Sequence, residues 1–125
     1  MDLSECYEAL GGDYADVCTR LSGPGMIEKF LGRFLEDDSF ALLIKAVESG
    51  NRDEAFRAAH TLKGISANLG FKRLFLSASR LTELLRADDG AMPENDDAVW
   101  NEVRCDYRLT ADTIRRYFNS KDDVT

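Results

Sequence analysis

The apolar residues of this chain recur at helical spacing, and short breaks rich in glycine, proline and asparagine separate the runs they form. That pattern leaves little choice of fold. Between Pro24 and Leu35, the residues Met26, Ile27, Phe30, Leu31, Phe34 and Leu35 follow i, i+3 and i+4, one face of a helix. No stretch alternates apolar and polar residues for long enough to make a half-buried strand. The chain reads as all-α.

Taken in order, residues 1–22 hold two short helices broken at Gly11-Gly12, with Asp13 available to cap the second. Pro24 suits the first turn of the next helix. Ser39 can cap a helix that turns Phe40, Leu43, Ile44 and Val47 inward and stops at Gly50. Asn51 then opens a central helix, with Glu54 as a capping-box partner, that ends at Leu69-Gly70. A further helix from about Phe71 to Ala87 carries Leu74, Phe75, Ala78, Leu81, Thr82 and Leu85 on one side. Residues 88–97 form a polar loop. A last helix, about Ala98 to Phe118, turns Val99, Val103, Tyr107, Ile114 and Tyr117 inward, and residues 119–125 make a fraying tail. Short connections favour antiparallel neighbours. The expectation is one domain over 1–125: an up-and-down antiparallel four-helix bundle within 24–118, with additional short N-terminal helices.

With 23 acidic against 16 basic residues, the net charge of −7 opposes binding to a phosphate backbone, so nucleic acid is not an expected partner. The longest purely apolar stretch, Phe40 to Ile44, is far too short for membrane insertion. The N-terminus lacks the pattern of a secretory signal. Cys6, Cys18 and Cys105 are odd in number and lack C-x-x-C spacing, which suits reduced thiols in the cytoplasm better than a disulfide or zinc framework.

The central helix holds the only histidine, His60. At about 100° per residue, Ala55, Ala58, Ala59, Leu62, Ile65, Ser66 and Leu69 share one arc, and His60 lies roughly 160° from its middle, facing solvent. Gly64 follows one turn later on the same face. Glycine there costs about 0.8–1 kcal/mol relative to alanine, and it leaves the imidazole edge open to a partner. The competing reading, a tight helix crossing, needs Gly64 to face the core, and it does not. Lys63, at i+3, can stabilise an attached phosphoryl group, and Arg57, one turn earlier, could add to that charge. Ser66 points toward the core, where its hydroxyl can return to the Leu62 carbonyl.

The run AAHTLKGISANLGFKRL, continuing through SASRLTELLR, resembles the histidine-containing phosphotransfer (HPt) domain family. The family pattern is met by His60, Leu62-Lys63-Gly64, Ser66 and Leu69-Gly70, within a strongly matching stretch from Ala58 to Arg86. One departure is Ala78, a packing position where many members carry cysteine. The resemblance implies a phosphoryl group carried on His60, through the outward Nε2, to or from an aspartate of a response-regulator receiver domain. Lys63 would stabilise the phosphoryl charge and Gly64 would give access. The chain would need no cofactor of its own, because Mg²⁺ would come in the partner's acidic pocket. An upstream (hybrid) histidine kinase completes the expected partners, and the chain itself is expected to be a monomer. Phe56, on the border between core and outer face, is the candidate for an apolar contact with the receiver, with ordinary core packing as its competing reading. Arg57, Ala67 and Asn68 are further candidates on that surface.

No P-loop and no G-x-G-x-x-G fingerprint occurs, so the expected role is that of a phosphoryl carrier and not an enzyme that phosphorylates itself from ATP. Two other readings compete. One is the phospho-accepting domain of a chemotaxis-type histidine kinase; the lack of a following kinase domain favours a free-standing relay protein. The other is a non-catalytic helical adaptor with an incidental histidine. A metal site at His60 lacks a second histidine or a cysteine at ligand spacing.

Overall fold

Helix formation here is stopped and started by side chains that take over the backbone groups a helix end leaves unpaired. A computed structural model describes residues 1–86 and 92–122, and among them it contains helices and no strand. The helices are α1 (Leu3–Leu10), α2 (Tyr14–Arg20), α3 (Pro24–Glu36), α4 (Ser39–Ser49), α5 (Arg52–Asn68), α6 (Lys72–Arg86) and α7 (Ala98–Asp122). Asp2 and Glu5 form a capping box on α1, Asp13 accepts from the Asp16 amide to cap α2, and Pro24 occupies the first turn of α3. Asp97 Oδ1 accepts from the Val99 and Trp100 amides to start α7.

Two expected caps are realised differently. Ser39 is the first residue of α4 and is buried; the carboxylate of Asp37 accepts its amide at 2.9 Å. Asn51 does cap α5, accepting from the Glu54 amide at 3.2 Å. The reciprocal half of a capping box is not formed there, because the Asn51 amide donates to the Ala46 carbonyl at the end of α4. α7 also runs beyond the expected stop at Phe118, so residues 119–122 are helical and not a frayed tail. The expected end of α6 at Ala87, part of the 88–97 loop and residues 123–125 lie outside the described residues.

α4, α5, α6 and α7 pack in sequence, α5 lying between α4 and α6 and α6 against α7. Phe40 of α4, stacked on Tyr107 of α7 with ring centroids 3.9 Å apart, links the first helix of the bundle to the last. The short α4–α5 and α5–α6 connections make these neighbours antiparallel. α1 lies against α7 and buries Leu3, Cys6, Tyr7 and Leu10. Burial pushes the Cys6 thiol up to about 11, which keeps it protonated. Cys18 and Cys105 are exposed, and all three cysteines are free.

The apolar stripes match expectation with local shifts. Met26 is exposed at 37 %, while Ile27, Leu31 and Phe34 carry the buried face of α3. On α7, Val99 and Tyr107 are only partly buried and Trp100 takes a core place.

The C-terminal end of α5 is held from two directions. Gly70, at φ +72°, lets the Phe71 amide turn back to the Ser66 carbonyl at 2.9 Å and the Gly70 amide to that of Ala67 at 3.4 Å, a Schellman ending. The Asp13 amide, in the α1–α2 turn, donates to the Gly70 carbonyl at 2.8 Å. A Cβ at Gly70 would sit 2.9 Å from the Asp13 carbonyl oxygen, too close for any other residue. Beside this junction the buried Tyr7 hydroxyl donates to the Leu69 carbonyl at 2.7 Å. Tyr7→Phe removes that donor and leaves a buried carbonyl short of a partner. The expected loss is about 1–2 kcal/mol, read as a lower urea midpoint at unchanged slope.

Candidate functional site

Seventeen residues of α5 give it nearly five turns, and its middle carries the histidine. Ala55, Ala58, Ala59, Leu62 and Ser66 are buried against the neighbouring helices, Ile65 is partly buried, and His60 is exposed on the opposite side. The small alanines let α4 and α6 approach closely, which fixes α5 as a rigid mount for the imidazole. Asp53 and Glu54 in the first turn suit the positive end of the helix dipole.

Around His60 the outer surface divides into two flanks. Phe56, Lys63 and Ala67 lie toward α6. The Phe56 ring is nearly parallel to the imidazole, 12° apart with centroids at 6.0 Å, and the Arg86 guanidinium of α6 stands over it at 5.5 Å. Ala67 reaches a cleft of about 210 Å³ that it shares with Phe75 of α6, Asp16 of α2 and Asp13 in the turn before α2. Gly64, Arg57 and Asn68 lie toward α4, all exposed. Arg57 and Thr61 line a second cleft there with Leu42 of α4.

Gly64 is open: a Cβ added to it would meet nothing within 4 Å. It therefore serves no tight helix crossing, and the space above it is free to solvent. Among the described residues, no hydrogen bond or ion pair engages the side chains of Lys63, Arg57 or His60. Lys63 is half-buried, so its stem lies along the helix surface while its ammonium keeps no acidic neighbour as a partner. Ser66 departs from expectation: it is fully buried, but its hydroxyl makes no bond to the Leu62 carbonyl and has no hydrogen-bond partner among the described residues.

Three features of this surface were missed in the sequence. Leu42, exposed at 52 %, sits off the apolar stripe of α4, a signal that was readable. Thr61, directly after His60, lines the cleft on the α4 side, which no local pattern marks. The Arg86–Phe56 contact joins two helices and left no local signal.

No group of three or more His, Cys, Asp or Glu side chains is placed to hold a metal ion among the described residues, and no helix there is long and apolar enough to cross a membrane. No curated protein and no solved structure matches the chain. The sequence profile of the Hpt domain matches residues 26–113, which takes in the bundle from α3 through most of α7 and the whole of the His60 face. On that match over well more than half its length, the chain belongs to the Hpt domain family, whose members carry phosphoryl groups on histidine in phosphorelays.

Proposed function

We propose that the chain is a phosphorelay intermediate that carries a phosphoryl group on His60 between a receiver-domain aspartate and a second such domain or a kinase. The observation that carries this reading is the pairing of an exposed imidazole with the open space at Gly64, one turn along the same face. In the receiving direction, the in-plane lone pair of His60 Nε2 attacks the phosphorus of the aspartyl phosphate. The N–P bond forms as the P–O bond to the aspartate breaks, and the aspartate leaves as carboxylate. The proton on Nδ1 stays with the ring. Transfer onward is the reverse, with the next aspartate as nucleophile.

Lys63 supplies positive charge beside the forming phosphoramidate, and its lack of an acidic partner leaves that charge available. Mg²⁺ would be supplied by the receiver, where it neutralises the transferring group. The reading places the chain in the cytoplasm, with receivers and histidine kinases as partners, and has it act as a monomer.

The test is incubation with a phosphorylated receiver, followed by a search for acid-labile, base-stable label on the chain. A parallel reaction with a kinase catalytic domain and ATP distinguishes a relay from a chemotaxis-type acceptor. Lys63→Ala is expected to slow transfer by about tenfold, equivalent to ~1.4 kcal/mol in the barrier, with the helix content unchanged. Single-turnover kinetics and circular dichroism check both halves, and unaltered kinetics would remove the role assigned to Lys63.

A further inference from the structure

Phe56 has the position of a docking residue but not the surroundings of one. An apolar anchor for a partner should offer a free face, whereas this ring is half-buried and has the Arg86 guanidinium over it and the His60 ring alongside. We propose that Phe56 is a positioning residue, whose ring, steadied by Arg86, sets the plane of the His60 imidazole for transfer. The proposal rests on the reading of His60 as phosphoryl acceptor.

His60 is exposed and makes no hydrogen bond among the described residues, so no polar group fixes its ring torsion. A terminal sp³–sp² torsion of this kind has a broad well, and an exposed side chain without partners reorients within nanoseconds. The reacting lone pair lies in the plane of the ring, so the angle of that plane is the direction of attack. A ring one turn earlier, within 12° of parallel, restricts that angle.

Phe56 can do this only if its own ring is held. Arg86 meets that need from α6, and its guanidinium is placed in turn by Glu83 at 3.5 Å. The imidazole plane is thus referred to two helices. Holding the nucleophile near its attack geometry lowers the barrier without tightening the encounter with the partner.

Phe56→Leu keeps an apolar side chain but loses the planar ring, and Phe56→Tyr keeps the ring. Single-turnover transfer from a phosphorylated receiver should be followed across receiver concentrations for both variants. Phe56→Leu is expected to lower the limiting rate by about tenfold with the half-saturating concentration within about twofold, while Phe56→Tyr stays within about twofold of the parent. In the free protein, NMR relaxation of the His60 ring should show it ordered in the parent and in Phe56→Tyr and averaged in Phe56→Leu.

A higher half-saturating concentration at unchanged limiting rate would make Phe56 a docking residue and overturn the proposal. So would equal loss in both variants, or a His60 ring as mobile in the parent as in Phe56→Leu. Failure of the parent to take label would instead defeat the relay reading. The ring-order comparison needs no receiver, so the two failures are told apart.

Discussion

His60→Gln is expected to abolish acid-labile phosphorylation while leaving the protein folded. Glutamine offers no nucleophilic nitrogen, and the chain has no second histidine to take over. The imidazole is exposed and without hydrogen bonds among the described residues, so its removal leaves no buried group there unpaired. Glutamine is also a somewhat better helix former than histidine. The melting temperature should therefore hold while label falls to background. Label retained at the parental rate would show that phosphate resides elsewhere and would end the relay reading.

Gly64→Gln should move stability and function in opposite directions. Gly64 lies inside α5 with no neighbour near the place a Cβ would occupy, so a longer side chain meets no clash within the protein. Its helix propensity is worth about 0.5–1 kcal/mol over glycine, a gain of a few degrees in melting temperature for a domain of this size. Yet that side chain would project into the space that, in the proposed relay, a receiver enters to bring its aspartate to His60. Displacing the reacting atoms by even an ångström can cost about a hundredfold in rate. A more stable protein with transfer slowed by about that factor is the expected result. Paired measurement of melting and single-turnover transfer checks it, and normal transfer would sink the clearance argument.

Much of this was readable from residue order, because the signals concerned are local. Asn51 and Gly70 bracket α5 as expected, and the spacing along that helix alone puts His60 outward. Ser39 misled because the helix begins one residue sooner: Asp38 takes the N-cap position and Asp37 accepts the Ser39 amide, which leaves Ser39 inside the first turn. The stripe of α7 was misjudged at Val99 and Trp100 for another reason. That helix meets α1, α3 and α6 at different points along 25 residues, so its inward direction is not constant. Ser66 was rightly placed inside, but periodicity carries no information on whether a hydroxyl there finds an acceptor. The links Tyr7–Leu69 and Phe56–Arg86 join residues 62 and 30 positions apart in the chain, and they exist only once the helices have docked.

The junction at Gly70 bears on how the molecule breathes. Unwinding the last turn of α5 would release not only its own carbonyls but also the bonds that Asp13 and Tyr7 make to residues 70 and 69. Fraying of the helix that carries His60 is therefore tied to detachment of the two N-terminal helices, segments that precede the region matched by the family profile. Residues 1–22 and the distal half of α5 should open as one cooperative unit. A segment that contributes no side chain to the histidine's chemistry would then set how often its platform loosens.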